Sequence, residues 1–197
     1  MTLDLFTPAD TAVLLIDHQE GTMSWIRSAP IAHERANAVA LARAAKALGM
    51  PLVLTSSLED HEQGPLVTEL RDVAPQEYES RIRRAGMVNA MEDPDFAAAV
   101  IATGRTNLVI AGVTNDVCTV YPTLSALQDG FRVEVVADAG GSMSKAADDI
   151  AVEEMRQAGA RVASTNMVLT ELARDWSSPA GKSLIPVVGA LIPRGDK

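Results

Sequence analysis

Residues 11–16 read TAVLLI, with Asp17 directly after them. No charged residue interrupts the run, and polar and apolar positions do not alternate along it. A strand with one face in water alternates with period two, whereas a strand covered on both faces reads as a continuous apolar run. Thr11–Ile16 therefore reads as an interior strand of a parallel sheet. Residues 51–55 (PLVLT) and Asn107–Gly112 (NLVIAG) carry the same signature. Residues 131–137 (FRVEVVA) and 160–164 (ARVAS) alternate more, which places them nearer an edge. Residues 78–84 are a weaker strand candidate.

Helical patterns fill the gaps. Ile31–Leu48 is rich in Ala and Leu and stops at Gly49-Met50-Pro51, a glycine stop followed by proline. Asp93-Pro94 supplies a capping side chain and a first-turn proline for a helix ending near Gly104. Residues 116–128, 144–158 and 167–176 read as further helices. Strand and helix in alternation imply βαβ units, hence an α/β, Rossmann-like, three-layer α/β/α sandwich with a mostly parallel central sheet. No repeat or composition shift divides the chain, so residues 1–197 read as one domain. Within it, residues 177–197 carry three prolines and three glycines and read as an extended C-terminal arm, expected to pack on a neighbouring subunit or on its own core.

Composition narrows the function. The 197 residues carry a net charge of −9, which disfavours nucleic acid and anionic membranes as partners. Aromatic residues make up 4%, too few for base-stacking platforms. The single cysteine, Cys118, excludes an intrachain disulfide framework and a CxxC pair. Residues 1–8 lack a basic region ahead of an apolar stretch, so no secretory signal is read and the expected compartment is the cytoplasm.

Ligands of open parallel sheets bind beyond the carboxyl ends of the strands. Asp17 ends the first strand, Arg83 and Arg84 end the third candidate, and Asn107–Gly112 leads into Val-Thr-Asn-Asp-Val and Cys118. An acid, a cation and a thiol thus converge on one rim from distant parts of the chain. Cys118 falls in the first turn of its expected helix, where free N–H groups and the dipole favour thiolate; a lone cysteine is otherwise a small buried hydrophobe. Asp17 could equally cap a turn. His18 points away from Asp17 along a strand and reads as structural. His33 and His61 read as solvated, and Glu59-Asp60-His61 is a poor chelating arrangement. No GxGxxG or phosphate loop is present.

Taken together, residues 12–19 (AVLLIDHQ), 110–118 (IAGVTNDVC) and 124–141 (LSALQDGFRVEVVADAGG) resemble the isochorismatase-like hydrolases, a family of cysteine hydrolases. Residues 64–70 (GPLVTEL), 84–91 (RAGMVNAM) and 171–176 (ELARDW) are similar to its YcaC-like branch, whose members tend to form octamers. The resemblance implies an Asp–Lys–Cys triad. Asp17 and Cys118 match two members, and Arg84 stands at the lysine position, as in that branch. It also implies a cis peptide between Val113 and Thr114 and an oxyanion hole from the backbone N–H groups of Thr114 and Cys118. Asn115 stands where the family often has Thr. The histidines of metal-dependent nicotinamidases are absent, and true isochorismatases lack the cysteine.

The expectation is a metal-independent cysteine hydrolase with no cofactor, acting on a small amide or related C–N bond through a thioester. Asp17 would move the proton, Cys118 attack, and Arg84 supply fixed charge. Gln19, Asn89 and Asn115 are candidate substrate-binding residues from position, and residues 21–29 and 57–65 are loops placed to set specificity. The expected partners are a small-molecule substrate and further copies of the chain, as a tetramer or octamer. The alternative is a non-catalytic oligomer with a redox-sensitive or ligand-binding thiol.

Overall fold

The computed structural model describes residues 5–192; residues 1–4 and 193–197, the ends of the N-terminal and C-terminal-arm readings, lie outside the described residues. Six strands form one all-parallel sheet in the order β3-β2-β1-β4-β5-β6. They are β1 (Thr11–Ile16), β2 (Leu52–Ser57), β3 (Ile82–Arg84), β4 (Asn107–Gly112), β5 (Arg132–Val136) and β6 (Arg161–Ala163). The helices are α1 (Glu20–Met23), α2 (Ile31–Leu48), α3 (Thr68–Val73), α4 (Pro75–Glu79), α5 (Pro94–Ala102), α6 (Val120–Gln128), α7 (Lys145–Gln157), α8 (Thr165–Ala173) and α9 (Pro179–Leu191).

The continuous apolar runs are explained by two cores. Val13 and Leu15 of β1 join a core built with α2, α8 and α9, while Ala12, Leu14 and Ile16 join a second built with α5, α6 and α7. The sheet is therefore covered on both faces, as a three-layer α/β/α sandwich. The more alternating strands lie where alternation placed them, β6 at the edge and β5 beside it.

Two local readings need correction. Residues 78–84 are not one strand: Pro75 opens α4, Tyr78 is buried in it with its hydroxyl donating to Leu66 O at 3.0 Å, and only Ile82–Arg84 pairs with β2. The stretch expected as an extended arm is a helix over Pro179–Leu191. Ser178 caps it by accepting from Gly181 N at 2.9 Å, Pro179 occupies its first turn, and Leu184 and Val187 bury into the α2 side core despite Pro186. Apolar burial outweighs the local cost of an interior proline here. Among the described residues, no helix is long and apolar enough to cross a membrane.

Candidate active site

The sheet register brings the rim residues to one level. Ile16 pairs with both Thr55 and Gly112, and Ser57 pairs with Arg84, so Asp17, Arg84 and the exit of β4 share the carboxyl edge. β1 and β4 are the neighbours between which strand order reverses, where open sheets form their binding crevice. Asp17 leaves the strand with φ 58°, a region that Asp tolerates better than most residues. Its N–H still donates to Thr55 O at 3.0 Å, and the N–H of Gln19 donates to Asp17 O at 2.7 Å.

Arg84 is fully buried as a side chain. One of its terminal nitrogens, Nη2, donates to Oδ1 and Oδ2 of Asp17 at 2.5 Å each, Nε donates to Thr55 Oγ1 at 3.1 Å, and Nη1 donates to Met87 O. Strand alternation decides between the two arginines: Arg83 is exposed and meets Glu59 at 3.3 Å instead. Burial pushes the Asp17 carboxyl up from its ordinary value, and the Arg84 charge pulls against that shift.

After β4 the Val113–Thr114 peptide is cis. A wide turn, Asn115–Thr119, follows, with Thr119 N donating to Thr114 O at 3.1 Å, and α6 begins only at Val120. Cys118 therefore sits in this turn and not in the first α-helical turn expected for it. The turn is pinned from behind. Asn115 N donates to Gly141 O at 2.8 Å, and its side-chain nitrogen donates to Ala137 O at 3.1 Å and Asp148 Oδ1 at 3.0 Å. A Cβ on Gly140 would stand 2.4 Å from both Asn115 Oδ1 and Gly112 O, so only glycine allows this approach.

Cys118 and Asp17 line one cleft, and the Asp17 carboxylate and the Thr114 N–H are both near enough to act on the thiol. The expectation of a thiol poised as thiolate is not met. Burial and the negative charge of Asp17 push the Cys118 thiol well above its ordinary value, more than Arg84 and the Thr114 N–H pull it down. Pushed up in this way, the resting thiol keeps its proton.

These groups open on a cleft of about 210 Å³ whose lining includes Asp17, Arg84, Cys118, Trp25, Leu58 and Val88. Of the three amides chosen by position, Asn89 and Asn115 do not line it. Asn89 caps the short turn Ala90–Glu92 by accepting from Met91 N at 3.1 Å and donates to Ser125 Oγ at 2.8 Å. Gln19 does line the cleft, but its side chain is committed to backbone: Nε2 donates to the carbonyls of Ser57 and Gly64, and Oε1 accepts from Ser57 N at 2.9 Å. The wall residues Thr22, Trp25, Leu58 and Gln63 come from the two loops named from sequence, whereas Met87 and Val88 follow β3 and carried no signal beyond being apolar. His18 is buried, with Nε2 2.7 Å from Ala139 O, and burial pushes its pKa down to about 4, so the ring is neutral and structural. Among the described residues, no group of three or more His, Cys, Asp and Glu side chains could hold a metal ion.

Comparison with known proteins agrees with this architecture. The isochorismatase domain family matches residues 11–167. The chain is 42% identical to the probable hydrolase YcaC of Escherichia coli over 167 residues, covering 85% of this chain and 79% of that protein. It is similar to YcaC from Pseudomonas aeruginosa, in a structure with hexane-2,5-diol and covalent acrylamide, with a TM-score of 0.91 and 40% identity over 98% of this chain and 94% of that one. The crystal structure of Escherichia coli YcaC, described as an octameric hydrolase of unknown specificity, matches with a TM-score of 0.87 and 39% identity over 94% of this chain and 93% of that one.

Proposed function

The chain belongs to the isochorismatase family of hydrolases, and on that premise we propose that it is a metal-independent cysteine hydrolase that cuts a small amide or related C–N bond through a thioester. Asp17 takes the proton from Cys118 Sγ as the sulfur attacks the acyl carbon. The backbone N–H groups of Thr114 and Cys118 hold the tetrahedral oxyanion. Asp17 returns the proton to the departing nitrogen, the C–N bond breaks, and an acylated Cys118 remains. Asp17 then deprotonates water, which attacks the thioester, and the sulfur leaves and is reprotonated. Arg84 moves no proton in this pH range. It keeps Asp17 ionised and oriented.

The observation that carries this reading is the Asp17 carboxylate, gripped on both oxygens by Arg84 at 2.5 Å in the cleft that Cys118 also lines. The covalent acrylamide in the Pseudomonas aeruginosa relative supports a reactive nucleophile in such a protein. A redox-sensing thiol fits less well, because sensor thiols are low in pKa and the surroundings drive half-buried Cys118 the other way. The test is a panel of simple amides and esters with Cys118→Ala as the blank, and intact-mass detection of an acyl group on Cys118. Turnover that survives Cys118→Ala would sink the assignment. We also propose a homo-oligomer, tetramer or octamer, supported by the octameric Escherichia coli relative. Light scattering should give a multiple of 20.9 kDa, and a mass near that value itself would refute assembly.

A further inference from the structure

The cleft is electrically self-contained. Asp17 and Arg84 are the charged side chains that line it among the described residues, and they neutralise each other. The Arg84 guanidinium is committed on all three nitrogens, to Thr55, Met87 O and Asp17. The neighbouring cations Arg27 and Arg83 do not line this cleft. Arg27 lies in an adjoining groove, where it donates to the carbonyls of Ser24 and Ile26, and Arg83 pairs with Glu59. A substrate carboxylate would lose water and find no counter-ion here, under the field of a chain of net charge −9. A substrate ammonium would find no free carboxylate. The walls that remain, Trp25, Leu58, Met87, Val88 and Val117, are apolar. At about 210 Å³ the cleft is smaller than the range that takes drug-sized ligands.

Within these walls, polar capacity is left over at two side chains. Thr22 lines the cleft from α1, and its Oγ1 is buried with no hydrogen-bond partner. Buried hydroxyls are nearly always paired, so this one calls for a partner that the described residues do not supply. Gln63 is half-buried across the loop, and its side-chain amide makes no hydrogen bond among the described residues. Gln19, in contrast, is spent on backbone.

We propose that this cleft selects small uncharged substrates, of the class of short aliphatic amides. The apolar chain lies against Trp25, Leu58 and Val88, and the Thr22 hydroxyl and Gln63 amide orient the polar end. Thr22 and Gln63 are specificity residues, and the assignment rests on the reading of Cys118 as the nucleophile of this cleft.

Two measurements separate this proposal from that reading. Iodoacetamide and iodoacetate are alike in size and differ in charge. The ratio of their alkylation rates at Cys118, divided by the same ratio for free N-acetylcysteine, reports the cleft alone. That quotient should exceed roughly 30, the scale of bringing a carboxylate out of water to a cleft that offers it no counter-ion. In turnover, measured as ammonia release, butyramide should exceed succinamate and β-alaninamide by about 100-fold in kcat/KM. Thr22→Val should lower the butyramide value about 10-fold, and Thr22→Ser should recover most of it. Iodoacetate as fast as iodoacetamide, or succinamate as good as butyramide, overturns the proposal. Equal impairment by Thr22→Ser and Thr22→Val removes Thr22 from it. A strong iodoacetamide preference with no amide hydrolysed overturns the amidase reading and leaves selection for neutral ligands standing.

Discussion

Two buried acid–arginine clusters lie on opposite halves of the sheet, and they are built differently. At the end of β1, Asp17 receives two short hydrogen bonds from Arg84. On β5, Glu134 is just as buried, yet neither of its oxygens has a hydrogen-bond partner among the described residues. Its nearest cation, Arg161, stands 3.6 Å away and is held by Glu171 at 2.7 and 3.0 Å. Burial, with Glu171 adding to it, pushes Glu134 up to about 7. Both acids are therefore displaced upward, so displacement alone does not mark a site. Asp17 opens on a cleft beside a thiol, whereas Glu134 sits in mid-strand with its side chain on the face that Val136 shares with α8.

The sharpest way to break this contrast is Arg84→Met. Removing one partner of a buried pair costs about 3–5 kcal/mol, and kcat/KM on the best amide should fall by roughly a hundredfold to several thousandfold. Arg84→Lys should keep measurable activity, because it restores the charge without the fork. Wild-type kinetics in Arg84→Met would move Asp17 into the same structural class as Glu134. Next comes the acid limb of the pH–rate profile. Asp17 works only when ionised, and burial raises its pKa, so kcat/KM should collapse at a pH above the ordinary Asp value of 3.8. A midpoint at or below that value would contradict the site's electrostatics.

Glu134→Gln probes the other cluster. The folded pKa of about 7 exceeds the ordinary 4.5, so the native state binds its proton more tightly and stability declines as pH rises between those values. The substitution should stabilise by roughly 1–2 kcal/mol above pH 7, after allowance for solvent screening, and by almost nothing at acid pH. Urea melts at two pH values check this, with activity unchanged. The smallest expected effect is that of a chelator. EDTA should leave the rate as it was, and revival of an EDTA-killed enzyme by a divalent metal would overturn the triad mechanism.

How much of this was legible in the sequence follows from how locally each feature is encoded. β1 and β4 could be read to the residue because their burial on both faces removes alternation. Asp17 was legible because it directly follows the first of those runs, and Cys118 because it is the single cysteine and lies just beyond the exit of the second. The helix α9 was not, since Pro186 and the glycines argue locally against it, and only burial of Leu184 and Val187 against the α2 side of the sheet favours it. Cys118's turn was read as helix, because a wide turn and an α-helical turn place their apolar residues alike. The roles of the amides were hidden for another reason. Gln19, Asn89 and Asn115 all stand near the rim, but whether an amide meets a ligand or a backbone carbonyl depends on loops that fold back from far along the chain.

One such fold-back shapes how this protein can diverge. Residues 18–21 are laced to residues 63–67: Glu20 N donates to Pro65 O and Gly21 N to Gln63 O, both at 2.9 Å, and Val67 N donates to His18 O at 2.9 Å. The Gln19 amide adds the two ends of the loop, Ser57 and Gly64. Gly21 is irreplaceable there, because a Cβ would fall 1.8 Å from Glu62 O. The seam is made almost wholly of main chain, so it is indifferent to the side chains at Leu58 and Gln63 that it carries to the cleft. New wall residues can therefore be tried on an unchanged frame, with Asp17 and Arg84 out of reach of the experiment. A lineage, or a directed-evolution library confined to Leu58 and Gln63, can change what is admitted without renegotiating the chemistry.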